Sequence, residues 1–212
     1  MFKSAAPALN RRWRGRRWRF ALAACAGILA LQASRPAHAE VYYTVRDLLA
    51  EQFKASARVS FVKAHPSAAQ RKLIEQRLGH ALAKPDYVIY VAKTGEQVDG
   101  YALFDEERGQ HELISFATFF NRDGAVTRVE VVAYREPFGD GVRAERFRRQ
   151  FVGRLADSGY VLGRDVDAIS GATISSRSLC RGVQRAALLL RELVLNAPVA
   201  AAVAAGGPAP AP

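Results

Sequence analysis

The stretch LISFATFFNRDGAVTRVEVVAY, residues 113–134, decides how the rest of the chain is read. Two runs rich in Phe, Val, Ile and Thr flank Asn121, Arg122, Asp123 and Gly124. Aromatic and β-branched residues on both sides of a short polar segment ending in Gly predict an antiparallel hairpin. In its second run Val126, Val129, Val131 and Ala133 alternate only in part, which leaves the buried face of that strand open. Upstream, YVIYVAK (87–93) and GYALFDE (100–106) have the same β-rich composition and are joined by a Gly-containing turn.

Helical spacing brackets this run of strands. Thr44 and Asp47 form a capping box before Leu48, Leu49 and Phe53, which predicts a helix over 45–56. Pro66 opens a second helix, with Leu73, Leu78 and Leu82 as its buried stripe up to Pro85. Beyond the hairpin, Phe147, Phe151 and Leu155 are spaced as on a helix. So are Leu179, Val183, Ala186, Leu190 and Leu193. Strands grouped together with helices before and after predict an α+β fold, a mainly antiparallel sheet with flanking helices in a single domain, rather than a doubly wound one. No internal repeat is visible.

The two ends read differently from this domain. Residues 1–39 combine an arginine-rich opening, an apolar run (FALAACAGILALQA) and the small-residue pattern Ala37-His38-Ala39, the features of an export signal peptide. The apolar run is short for a bilayer span, so cleavage is expected, with retention as a membrane anchor the alternative. Residues 197–212, APVAAAVAAGGPAPAP, carry no charge and no aromatic group, and a tail that cannot offset its ordering entropy is expected to be disordered. The domain is thus expected to occupy residues 40–196.

Removing the signal changes the charge argument. Residues 1–39 hold 8 of the 31 Lys and Arg and none of the 20 acids, so the remaining 23 bases against 20 acids leave only +3. The net +11 of the whole chain is therefore no argument for nucleic acid, and none is expected as a partner. Cys25 leaves with the signal, and Cys180 remains alone, without a disulfide partner even in an oxidising compartment.

The chemistry concentrates in DAISGATISS, residues 167–176. Ser and Thr cap helices and Gly turns the chain, so a plain loop and N-cap before a helix beginning near Ser175 accounts for most of it. The other reading is an anion site. A Gly that permits close backbone approach, free N–H groups at a helix start and several hydroxyls suit a phosphate-like ligand.

The run SGAT (Ser170 to Thr173), with Asp167 before it and Ser175 and Ser176 after it, resembles the flavinylation motif of the FMN-binding domain family, which includes the C subunit of the sodium-pumping NADH:quinone reductase and the G subunit of the Rnf complex. The resemblance extends upstream through ISFATFFNRDGAVTRVEVVAYREPFG, to Glu136, Pro137, Phe138 and Gly139, and spans roughly residues 113–195. The family's upstream element often reads ETPGLG, and Phe138 stands here in place of a Gly.

The resemblance implies covalent FMN, joined by a phosphoester to Thr173 and installed after export by a separate flavin transferase with FAD as donor. It implies that Ser170, Gly171 and Ala172 form the loop at the phosphate, with Ile174, Ser175 and Ser176 beside it. Asp167 would belong to the transferase's recognition signature, and Glu136 and Gly139 would lie near the flavin. A Thr hydroxyl is a poor nucleophile unaided, and no base stands beside it in the motif, which agrees with attachment by an external enzyme.

Other residues carry bland readings. Arg135 and Arg177 are expected on a solvated surface; of Phe116, Phe119 and Phe120, which could stack on a flavin ring, at least one or two are expected in the core. His65, His80 and His111 lack metal-ligand spacing, so no metal site is expected. Cys180 is expected to be buried and inert. No nicotinamide fingerprint, C-x-x-C or P-loop is present, and no catalytic residue is assigned.

The expectation is an exported electron carrier at the periplasmic or outer face of the cytoplasmic membrane, exchanging electrons with a membrane complex or reductase. A small soluble FMN-dependent reductase and a non-flavinylated binding or assembly module of the same fold are the alternatives.

Overall fold

The computed structural model describes residues 40–196. The signal peptide and tail expected at 1–39 and 197–212 lie outside the described residues. The described chain forms a six-stranded sheet, antiparallel throughout, in the order β1-β6-β5-β4-β3-β2. The strands are β1 (Glu40–Val41), β2 (Arg58–Ala64), β3 (Tyr87–Thr94), β4 (Gln97–Arg108), β5 (Leu113–Asn121) and β6 (Val126–Tyr134). Helices α1 (Val45–Gln52) and α2 (Ala68–Leu78) lie between the early strands. A single turn α3 (Glu145–Arg148) and the long α4 (Thr173–Leu190) follow the sheet. The α+β class and the four expected strands are thus present. No described helix is long and apolar enough to cross a membrane.

Both sheet faces are covered. Leu48, Leu49 and Phe53 of the α1 region pack on Ala92, Ala102, Ala117 and Phe119. On the opposite face α4 supplies Leu179, Val183, Ala186 and Leu190 to a larger core that includes Phe116, Phe120, Phe147 and Phe151. Gly182 lets α4 sit close: a Cβ there would overlap the Phe116 ring. Phe116, Phe119 and Phe120 are all core residues, at most 1% exposed.

Several local expectations are corrected. The strand β2 was not anticipated; its charged Arg58 and Lys63 sit at the sheet edge, where charge discourages further pairing. Helix α1 is shorter than 45–56, although Thr44 Oγ1 does accept from Asp47 N (3.1 Å). In α2 the N-cap is Ser67, which forms a capping box with Gln70, and Pro66 precedes it. Ile74 rather than Leu73 is the helix's buried residue, Leu73 being 40% exposed. The helix stops at Gly79 in the left-handed region, and Leu82 is buried after it. Of the Phe147, Phe151 and Leu155 series, the first two are buried within α3 and the following 3-10 turn, while Leu155 is exposed.

The broken alternation in β6 has a register explanation. Ser115 pairs with Ala133 but Phe116 pairs with Val131, and Phe119 pairs with Arg128 but Phe120 with Val126. Val132 and Thr127 are therefore extra residues, two β-bulges that shift which side chains face the core. Val126, Val129, Val131 and Tyr134 all join the α4-side core. Tyr134, not Ala133, is the last of that set.

Candidate functional site

Three segments meet at one end of the sheet: the β4–β5 loop, the chain leaving β6, and the loop that opens α4. Gln110, Phe138, Gly139, Gly171, Ala172, Thr173, Ile174 and Ser175 line a cleft of about 260 Å³. The structure thus brings Gly139 of the upstream element against the SGAT motif, 30 residues away in sequence.

The start of α4 differs from those of α1 and α2 and shares its lack of a side-chain cap with the single turn α3, which starts after Ala144. Both α1 and α2 are capped by hydroxyls, Thr44 and Ser67. In α4 the N-cap is Ala172, with no side-chain cap, despite three hydroxyl residues in the first turn. The first helical backbone bond runs from Ser176 N to Ala172 O (2.8 Å), and the N–H groups of Thr173, Ile174 and Ser175, residues that line the cleft, have no backbone partner. Gly171, at φ 76°, turns the chain into the helix in a conformation only Gly adopts without strain. The helix begins at Thr173, two residues before its expected start, and no Ser or Thr of the motif caps it.

Each hydroxyl has a distinct place. Thr173 is exposed at the cleft and no described side chain hydrogen-bonds it. Ser175 is buried, and its Oγ lies 2.9 Å from the Tyr134 hydroxyl, which donates to Phe138 O at 2.5 Å. Burial pushes the Tyr134 phenol above its ordinary pKa, outweighing the Ser175 contact, so it keeps its proton to donate. Ser176 is fully buried, and its Oγ has no protein partner. Ser170 is exposed beside Gly171.

The loop after β6 is fixed on both sides. Gly139 adopts φ 86°, and a Cβ there would lie 2.8 Å from Ser175 Oγ and 2.9 Å from the Tyr134 hydroxyl. Gly141 faces Ile169 and Ala172 in the same way, so the loop packs against the motif. Glu136 is buried, but its carboxylate serves the β4–β5 loop: Oε1 accepts from His111 N (2.7 Å) and Glu112 N (3.0 Å). A Cβ on Gly109 would overlap that carboxylate. Glu136 therefore holds the loop that carries Gln110, and does not line the cleft itself.

Asp167 is exposed, outside the cleft lining, and its backbone N–H donates to Gln150 Oε1 (2.7 Å). Arg154 holds the segment before it through the carbonyls of Gln150, Gly159 and Asp165.

On the inner side α4 is fastened to the end of β4. Ser178 Oγ donates to Arg108 O (2.6 Å), and the buried Arg185 donates to Asp105 Oδ2 (2.8 Å), Glu107 Oε2 (2.5 Å) and Glu106 O (2.8 Å). Desolvation opposes the Arg185 charge, but Asp105 and Glu107 outweigh it and hold the guanidinium above its ordinary pKa.

The cleft joins the upstream element to the motif within one continuous stretch of chain. Residues 109–188 match the model of the FMN-binding domain family. The resemblance read from SGAT and the hairpin thus holds for this part of the chain.

A relative from Clostridium ljungdahlii, the G subunit of its proton-translocating ferredoxin:NAD(+) oxidoreductase complex, is 30% identical over 104 residues, 46% of this chain and 56% of that protein. The chain therefore matches only about half the length of this relative. A crystal structure of NqrC from Shewanella oneidensis aligns with 16% identity and a TM-score of 0.45, over 66% of this chain and 80% of that one. Nothing about the site follows from a likeness at that level.

Gln110, Tyr134, Phe138, Gln150 and Arg185 were not foreseen as parts of the site or its support. Phe138 was visible as a departure from the family's element. Gln110, Gln150 and Arg185 carry no local signal, because their partners are 17 to 80 residues away in sequence.

Arg177 is exposed, as expected, whereas Arg135 is half-buried and reaches Ser115 Oγ (3.2 Å). Cys180 is buried, and burial pushes its thiol up to about 12. No cluster of three potential metal ligands occurs among the described residues.

Proposed function

We propose that this chain is an exported flavoprotein that carries FMN on Thr173 and relays electrons to or from a membrane redox complex. The observation that carries the proposal is the uncapped start of α4: an exposed Thr173 hydroxyl in a cleft where free backbone N–H groups and a left-handed Gly171 await an anion.

The residues present fit a flavin phosphate. The N–H groups of the first turn and the positive end of an 18-residue helix favour a phosphate ester. Gly171 has open space where a Cβ would stand, so a ligand can approach the backbone. FMN supplies the reversible redox chemistry of its ring system. The chain's residues anchor and orient it: Thr173 provides the ester oxygen, and the Tyr134, Ser175 and Phe138 hydrogen bonds fix the facing wall.

Thr173 has no hydrogen-bonded base of its own, so the base for esterification belongs to an external flavin transferase. Esterification displaces AMP from FAD and exchanges one phosphorus–oxygen bond for another, with no change of oxidation state. Asp167, exposed on the approach to the motif, suits recognition by that enzyme. Covalent attachment keeps the cofactor where dilution outside the cytoplasm would strip a loosely bound one.

Support for the redox role is the family match and the relation to a component of an oxidoreductase complex. A carrier reading follows because the described site provides a cofactor anchor without catalytic side chains of its own. Localisation at the periplasmic face rests on the signal-like N-terminus alone.

The test is the intact mass of protein exported in the presence of a flavin transferase. A gain of one FMN less one water, lost in Thr173→Ala, and in-gel fluorescence after denaturation are expected. An unshifted mass with the transferase active on another substrate would refute covalent attachment.

A further inference from the structure

On the reading that FMN is attached at Thr173, we propose that Phe138 stacks on one face of its ring system and shields it from solvent.

Among the described residues Phe138 is the most exposed large apolar side chain, at 80%, followed by Val41 at 61%. It does not stand on a loose end. Its carbonyl accepts from the Tyr134 hydroxyl, and Pro137 restricts the backbone before it. Gly139 after it is held at φ 86°, with Ser175 Oγ and the Tyr134 hydroxyl closing the space behind. A buried tyrosine, a buried serine and a required glycine together fix the backbone that carries an aromatic ring in water, where the ring gains nothing from the protein's own core.

The ring stands on the wall of the Thr173 cleft, and Ile174, 45% exposed, stands on the same cleft one residue beyond the attachment oxygen. The cleft, at about 260 Å³, is smaller than the roughly 300–1,000 Å³ of pockets that engulf whole ligands. It can take a phosphate and part of a polyol chain. The flat tricyclic part then lies across the rim, where Phe138 and Ile174 are the apolar surfaces on offer. Aromatic rings prefer offset or edge contact with a flat π-system, and one carried on a fixed backbone has only its side-chain torsions left to order.

The experiment uses flavinylated full-length protein, with flavin content checked by intact mass in every variant. Phe quenches flavin emission poorly, whereas Trp in contact quenches it by electron transfer. In Phe138→Trp the flavin fluorescence should be largely lost, relative to wild type and to Phe138→Leu. In Phe138→Ala both ring faces become accessible instead of one, and collisional quenching by iodide should rise about twofold.

Because position 138 is exposed, these variants should fold, which far-UV circular dichroism verifies. Unchanged emission in Phe138→Trp, or unchanged iodide quenching in Phe138→Ala, with flavin attached, would overturn the stacking. Loss of attachment in both variants would also overturn it, assigning Phe138 to transferase recognition. A wild-type chain that acquires no flavin is a different result, since it removes the FMN reading from which the stacking follows.

Discussion

Removing the charge of Arg185 should destabilise the domain far more than a surface substitution does, and should do so through the joint between α4 and β4. Arg185 is 7% exposed and Asp105 6%, and the guanidinium makes three charge-assisted contacts, to Asp105, Glu107 and the Glu106 carbonyl. Breaking a buried ion pair by deleting one partner costs about 3–5 kcal/mol, because the remaining charge stays buried without its partner. Here Lys84 Nζ, 2.7 Å from Asp105 Oδ1 and half-exposed, still answers one carboxylate, which places the cost near the lower end, about 3 kcal/mol.

The perturbation is Arg185→Met, which keeps the aliphatic packing. The assay is urea unfolding followed by circular dichroism, beside Asp105→Leu and the double variant. The double variant should recover part of the loss, since Asp105 is no longer left as a buried unpaired charge, although Glu107 still lacks its Arg185 partner. A single-variant loss below about 1 kcal/mol would show that Arg185 is solvated in the native protein and refute the reasoning.

Gly139→Ala should cost stability by about 1–3 kcal/mol, since a Cβ is strained at φ 86° and would meet Ser175 Oγ at 2.8 Å. With it, the yield of flavin attachment at Thr173 should fall, as read by intact mass. Glu136→Ala strands the His111 and Glu112 N–H groups, a loss of about 1–3 kcal/mol, and hydrogen exchange over residues 109–112 should quicken, whereas Glu136→Gln keeps an accepting oxygen and should be milder. For Cys180 the folded thiol ionises only at about 12, whereas an unfolded one ionises near 8.5, so its contribution to stability is whole below about pH 8.5 and is lost as pH rises from there towards 12. A thiol reagent at pH 8 should therefore label native protein no faster than it opens. In Cys180→Val the alkaline loss of stability measured by urea unfolding should shrink.

The antiparallel sheet was legible because its strands are written locally. β-rich runs either side of a Gly turn predict β3 to β6 without knowledge of the rest of the chain. The edge strand β2 escaped because it carries charge near both ends, and its strand identity comes from pairing with β3. The stripe of α2 was misread at Leu73 because an 11-residue helix buries a single residue, too few to define a face. The position of the motif before a helix was legible, since the order of Gly and hydroxyl residues is a local property.

The amino-acid sequence alone determined the β-rich runs, the long apolar face of α4 and the hydroxyl-rich motif at its start, because each depends on neighbours within about one turn or one hairpin. Tertiary structure alone decided that the bulge at Val132 puts Tyr134 on the core face with Val129 and Val131, that Tyr134 then reaches Ser175 and Phe138, and that Glu136 braces the Gln110 loop instead of lining the cleft. The Tyr134–Ser175 and Glu136–His111 contacts join residues 41 and 25 apart in sequence, and their partners are chosen by how the sheet and α4 close on one another.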